Sequence, residues 1–253
     1  MQQELSIPKI IRVLAWADLK SRYQNMALGF LWSLLSPLLY ASILYLVFRY
    51  IFGQAENFAA NLLVGIITWR VFQIGTTTCL NSYISKSQLI TKVYIPRYIP
   101  VVSSLFSTAI GAVLEFIILL SIVFILVGQI PITVMLFPLL FILYLTFTYA
   151  VGMILSLLHV FFRDLGQIWD LTCTVLFFTL PIIYPISAMS GQTLFWYLLN
   201  PLANIVIAFQ NIIVGGVVPS VSSLALIVGY TIALFIISYV LYNGIERRLA
   251  EEL

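Results

Sequence analysis

The sequence predicts an all-α integral membrane protein with six transmembrane helices, an N-terminal amphipathic interface helix, and an outer re-entrant segment between spans five and six. Three observations carry that expectation. Only 8% of the residues are charged and 62% are hydrophobic, against roughly 25% charged in an ordinary soluble domain, so no water-facing surface can be built from them. The apolar residues come in runs of the ~20-residue length that one helical crossing needs. The basic residues gather in links that six crossings bring to a single face, which the positive-inside rule makes cytoplasmic.

Helices rather than a closed barrel follow from the length of the runs. Lipid offers backbone groups no partners, so only those two architectures span it, and barrel strands would alternate apolar and polar residues over about ten positions. The stretch 132–162 contains no Asp, Glu, Lys or Arg and shows no such alternation.

The whole chain, 1–253, reads as one membrane domain. Residues 1–24 form the interface helix: Ile7, Ile10, Ile11, Leu14 and Ala17 recur at helical spacing, with Lys9, Arg12 and Lys20 around the turn, as in helices that lie on a membrane surface. The alternative is a charged leader that only sets topology. This region shows no short apolar core ending at a small-residue cleavage site, so no cleavable signal peptide is expected. Spans one to five occupy 27–184, at 27–51, 58–79, 101–127, 132–162 and 168–184. Pro37 and Pro138 sit inside spans, where proline kinks a helix, and Pro181 with Pro185 should end the fifth one early.

Residues 194–214 are long enough to cross, yet they include Asn200, Pro201, Asn204, Gln210 and Asn211. A seventh crossing would also separate the basic residues. With six spans, Lys9, Arg12, Lys20, Arg22, Lys86, Lys92, Arg97, Arg163, Arg247 and Arg248 all lie on one side, leaving only Arg49 at the opposite face. Segment 186–221 is therefore read as a broken structure at the outer face, followed by the last span, 222–243, and a cytoplasmic tail, 244–253. A multi-pass protein of the cytoplasmic (inner) membrane with both termini in the cytoplasm is the result. The motif Trp32-Ser-Leu-Leu-Ser-Pro-Leu echoes Trp196-Tyr-Leu-Leu-Asn-Pro-Leu, too briefly to be a repeat.

Chemistry is sparse. None of the lysines follows a glycine, so there is no phosphate-gripping loop for ATP, and the metal-binding His-Glu-x-x-His and nucleophile-elbow patterns are missing too. One histidine, His159, supplies no typical metal site. Cys79 and Cys173 fall in apolar spans, where a thiol is usually a small packing residue. The formal net charge of +3 would suit nucleic acid in a soluble protein, but its placement here suits membrane topology, and no nucleic-acid partner is expected. Enzyme activity is not expected either.

Two charges lie inside the bilayer, where charges are expensive and functional by default. Arg70 on span two and Glu115 on span three are each roughly 12 residues, or about 18 Å, from the outer end of their antiparallel helices. Two readings stand: a structural ion pair, or a role on a transport path. Asp164, Arg163 and Asp170 flank a short link at the cytoplasmic face, a possible docking surface. Aromatic residues make up 15% of the chain. Trp32, Ser36, Tyr40, Ile43, Val47 and Tyr50 share a broad face of span one, and Trp169 and Tyr184 belong to span five. Such a stripe serves packing or an interfacial belt; the sharper alternative is a sugar-conducting wall of flat apolar ring faces.

Several stretches, in order, carry a resemblance. They are Asp18-Leu-Lys-Ser-Arg-Tyr, Leu28-Gly-Phe-Leu-Trp-Ser-Leu-Leu-Ser-Pro-Leu-Leu, Leu89-Ile-Thr-Lys-Val-Tyr-Ile-Pro-Arg, Phe161-Phe-Arg-Asp-Leu, Pro181-Ile-Ile-Tyr-Pro, Leu199-Asn-Pro-Leu and Glu246-Arg-Arg-Leu-Ala-Glu-Glu-Leu. Together they resemble the membrane subunits of polysaccharide-export ATP-binding-cassette transporters, which export O-antigen, capsular polysaccharide or teichoic acid. The resemblance implies a homodimer enclosing a channel lined by spans one and five, with Trp32, Tyr40, Tyr50, Trp169 and Tyr184 as candidate wall aromatics. It implies a separate nucleotide-binding ATPase holding ATP and Mg, with no cofactor on this chain. The N-terminal helix and the connection 83–100 would touch that ATPase, making Lys86, Lys92, Arg97, Arg12 and Lys20 candidate coupling contacts. The outer segment would help gate the channel, and the cargo would be a glycan on a polyprenyl diphosphate or similar lipid. Arg70 matches no motif of the family. The alternatives are a drug- or lipid-exporting permease of the same fold and a membrane enzyme or assembly factor.

Overall fold

The computed structural model describes residues 6–23, 31–52, 57–92, 95–186 and 191–245, and within them every regular element is helical. The tail 246–253, the family-like stretch beginning at Leu28 up to residue 30, and Val93-Tyr94 of the predicted connection lie outside the described residues.

Helix α1, Ile7–Tyr23, is amphipathic, and its inner face packs on a later span. Ile10, Ile11 and Leu14 are half-buried and Ala15 fully buried, while Ile7 and Ala17 are exposed. The apolar face is thus rotated slightly from the one the spacing suggests. The opposite face presents Lys9, Arg12, Val13, Trp16 and Lys20.

Helix α2, Leu31–Phe52, carries Pro37 in its interior. Helix α3, Phe58–Leu80, follows, then two short helices, α4 (Ser82–Ser85) and α5 (Ser87–Lys92). Helix α6, Ile99–Val127, begins with Pro100 in its first turn and ends at Gly128, whose φ of 81° places it in the left-handed region that closes many helices at little cost for glycine. A 3-10 turn, Ile132–Leu136, leads into α7, Phe137–Phe161. Pro138 was expected to kink a span interior. It stands instead in the first turn of α7, where a missing N–H leaves no gap in the ladder.

The predicted fifth span is shorter as a helix than expected. Helix α8 runs Leu165–Thr179, 15 residues or roughly 22 Å, and the chain continues as an irregular turn. Leu180, next to Pro181, adopts φ −99°, ψ 153°, the extended conformation that a following proline enforces. The freed Pro181 carbonyl accepts from Gln210 Nε2 at 3.0 Å, which also bonds the Asn61 carbonyl at 3.1 Å.

The polar residues of the 194–214 stretch explain its break. Helix α9, Gly191–Leu198, stops before Asn200, whose Oδ1 accepts from the Leu202 N–H at 2.9 Å and so caps α10, Pro201–Gln210. Buried Asn204 donates from Nδ2 to the carbonyls of Leu198 and Asn200. A π-turn over Asn211–Gly215 and left-handed Gly216 end this segment. The chain then finishes the described part with α11, Val221–Ile245.

Helix α3 is the hub, packed by α2, α6, α7, α8 and α10. Its closest approach to α7 depends on small residues at matched four-residue spacing. A Cβ on Gly75 would meet Thr148 Cγ2 at 2.8 Å, and one on Gly152 would meet Cys79 Cβ at 2.6 Å. Small-residue seams of this kind let membrane helices touch backbone to backbone, and Cys79 is part of this one. An aromatic cluster of Phe116, Phe137, Phe141, Tyr144 and Phe209 fills the space between α6, α7 and α10.

Among the described residues, four helical segments, Phe58–Leu80, Ile99–Val127, Ile132–Phe161 and Val221–Ile245, are long and apolar enough to cross a membrane. The apolar stretch of α2, Leu35–Ile51, is shorter. With this composition, the chain is a multi-pass integral membrane protein.

Candidate functional site

Two polar arrangements stand out in this apolar molecule: a groove between α2 and α8 with α3 as its floor, and a joint between α1, the α4–α5 connection and the start of α6.

The groove has a volume of about 240 Å³ and is lined by Ser36, Pro37 and Tyr40 of α2, Trp69, Arg70 and Gln73 of α3, and Cys173, Thr174, Phe177 and Phe178 of α8, among others. Ring contacts hold its walls: Phe177 lies 5.8 Å from Tyr40 and 6.2 Å from Trp69, centroid to centroid. Along α2, Tyr40 at the groove and Trp32, Ile43, Val47 and Tyr50 outside it are all exposed. The two aromatics expected from span five are committed elsewhere. Trp169 is half-buried and donates from Nε1 to Thr76 Oγ1 at 3.1 Å. Tyr184 donates to the Phe178 carbonyl at 3.0 Å and accepts from the Tyr197 hydroxyl at 2.8 Å. On α8 it is Cys173, Thr174, Phe177 and Phe178 that line the groove.

At the groove's floor, the structure brings Arg70 and Glu115 together. Arg70 Nε lies 3.7 Å from Glu115 Oε1, within ion-pair range but too far for a hydrogen bond. Nη1 donates to Ser36 Oγ at 3.3 Å. Among the described residues, Arg70 Nε and Glu115 Oε2 have no hydrogen-bond partner.

The joint is tighter. Lys86 Nζ lies 2.6 Å from Asp18 Oδ2, 2.8 Å from Ser104 Oγ, 2.9 Å from Ser103 Oγ and 3.3 Å from the Pro100 carbonyl. Burial pulls the Lys86 pKa below its ordinary value, while the Asp18 hydrogen bond and charge pull it back up. Nearby, Arg22 Nη2 reaches Thr108 Oγ1 at 3.5 Å. Lys86 therefore points into the protein and fastens α1 to α6. Arg12, Lys20 and Lys92 are exposed, and Arg97 is half-buried.

An apolar, multi-helical chain with a polar groove between its helices has the form of a membrane permease. A family model described as "ABC-2 type transporter" matches residues 10–214. The chain belongs to the ABC-2 type transporter family. An O-antigen export system permease protein RfbA of Klebsiella pneumoniae is 29% identical to this ABC-2 chain over 247 residues, covering 96% of it and 94% of the relative. The protein of the same name from Myxococcus xanthus is 28% identical over 240 residues, covering 93% and 92%.

Within this ABC-2 protein, sequence reading missed Asp18 as the partner of Lys86. The signal was present: Asp18 continues the inward side of α1, one turn past Leu14, and a carboxylate on a packed face requires a cation. It also missed Gln73 and Thr174, neutral polar residues indistinguishable in sequence from ordinary helix hydroxyls and amides.

Proposed function

We propose that this chain is the permease of an ATP-driven exporter of lipid-linked polysaccharide of the O-antigen kind, acting in the cytoplasmic membrane. The observation that carries the reading is the near end-to-end similarity to O-antigen export permeases, supported by the aromatic and polar groove along α2 and α8. Rings give sugar faces weak, non-directional contacts that let a polymer slide, and hydroxyls and amides satisfy its hydrogen bonds.

In this reading α2, α3, α6, α7, α8 with its following turn, and α11 are the six spans. Segment 186–221, whose helix α10 is roughly 15 Å long and largely buried, is re-entrant at the outer face. Two copies face each other across α2 and α8 to enclose the path. A separate ATPase docks on the exposed basic face of α1, with Arg12 and Lys20, and on α5, with Lys92. The Asp18–Lys86 joint then carries its movement into α6, because a partner can shift the permease only through contacts that differ between its nucleotide states.

Removing the gene from its host should leave lipid-linked glycan inside the cell and none at the surface, and the wild-type gene should restore export. Unchanged surface glycan in the deletion strain would overturn the assignment.

A further inference from the structure

The Arg70 guanidinium is held on one side only. It bonds Ser36, sits 3.7 Å from a carboxylate that it does not hydrogen-bond, and keeps Nε without a hydrogen-bond partner among the described residues. A buried ion pair is tolerated when added hydrogen bonds satisfy its remaining donors and acceptors. Lys86 meets that condition with four oxygens; Arg70 does not. Its side chain is 23% exposed, against 6% for Glu115, and the groove it lines is also lined by Gln73, Thr174, the exposed Tyr40 and the buried Trp69. A guanidinium presents five N–H donors in a planar fork that matches a carboxylate or phosphate two bonds at a time. The ring faces beside it suit the C–H faces of a sugar.

We propose that Arg70 is an oxyanion-binding residue of the groove, taking a phosphate or carboxylate borne on a saccharide, with Glu115 as the resident counter-charge that the incoming anion displaces. This rests on the export reading above, and it adds the chemical class that the groove selects. At 3.7 Å and without a hydrogen bond, the Arg70–Glu115 contact is one that an incoming anion can replace. An anionic sugar bonds the Nη edge of the guanidinium, away from the buried Nε, while its ring lies along the exposed Tyr40, and departure of the anion returns Arg70 to Glu115. The pair thereby prevents an uncompensated charge from standing in the membrane between ligands.

The test uses the purified full-length protein in detergent, with ligand-detected NMR binding of glucose 1-phosphate, glucuronate, inorganic phosphate and neutral glucose. Glucose 1-phosphate and glucuronate should each bind more tightly than glucose by about tenfold, the value of a charge-assisted hydrogen-bond pair, and the better of the two identifies the anion. Inorganic phosphate should bind more weakly than glucose 1-phosphate because it lacks the ring. Arg70→Gln should remove the preference, and Arg70→Lys, which keeps the charge without the fork, should leave part of it. Glu115→Gln should strengthen anion binding, because it removes the competitor; a purely structural pair would show no such gain. Equal binding of charged and neutral sugars by the wild type, survival of the preference in Arg70→Gln, or no tightening in Glu115→Gln each overturns the proposal. Persistence of the anion preference in a protein whose deletion leaves surface glycan intact would overturn the export reading alone.

Discussion

Helices α3 and α11 invert the rule that governs soluble proteins. Helix α3 is the less apolar, with a mean hydropathy of 1.4 over its best window, yet 72% of that window is buried; α11 reaches 2.4 and only 17% is buried. In water the more apolar helix would be the inner one. In lipid the outside is already apolar, so hydropathy gives no preference for the interior, and what selects the inner position is the ability to pack closely and to satisfy polar groups. Helix α3 brings Gly75, Cys79, Thr76 and Arg70, each with a partner on a neighbouring helix, while α11 offers β-branched and aromatic side chains to the surroundings.

That contrast can be broken first at the polar contacts of the interior. Lys86→Glu sets two carboxylates beside each other in the joint and should destabilise the protein by about 4 kcal/mol. The change should be read as lost thermal stability in detergent together with protease access to α1. A fully stable Lys86→Glu protein would mean that the joint holds nothing. Arg70→Leu comes next, at about 3 kcal/mol, because it strands the more buried partner. Glu115→Leu should be milder, since the guanidinium can take water from the groove. Equal losses in the two variants would contradict the unequal exposure of the pair.

The glycines give a matched comparison. Gly152→Ala drives a methyl to within 2.6 Å of Cys79 Cβ and should lower stability by about 2 kcal/mol through overpacking, with most of the loss recovered in Gly152→Ala/Cys79→Gly. On α11 a methyl at Gly229 meets nothing within 4 Å, so Gly229→Ala should stay within about 0.5 kcal/mol of wild type. Similar thermal shifts at both sites would erase the distinction between inner and outer helices.

The smallest stability effect separates docking from folding. Exposed Lys92→Glu should leave the melting temperature within about 1 °C, the scale of a surface substitution, while lowering export driven by a co-expressed ATPase. If Lys92→Glu exports at the wild-type rate, α5 is not part of the docking surface.

The legible parts of the fold were those written locally. Apolar run length located α3, α6, α7 and α11, and the polar residues at 200–211 marked a segment that does not continue as one helix, because each signal depends on residues a few positions apart. The early end of α8 was legible from Pro181 but not its full extent, since Leu180 is pushed to extended backbone one residue before the proline. The site was less legible. Trp169 and Tyr184 share the chemistry of Trp32 and Tyr50, and composition cannot say which rings are tied to a neighbouring hydroxyl or carbonyl and which stand exposed.

Membrane residence, helical class and family-like motifs were therefore determined by the sequence alone, because charge scarcity, run length and short motifs are properties of neighbouring residues. Which charges meet was decided by the tertiary structure. Lys86 reads as a surface cation in its own loop, and only the packing of α1 on α6 brings Asp18, 68 positions earlier, to 2.6 Å from it. Depth along two helices makes Arg70 and Glu115 eligible to pair. Their 3.7 Å separation, and the groove that leaves the guanidinium half satisfied, come from how α2, α3, α6 and α8 are rotated about their own axes, which no local pattern specifies.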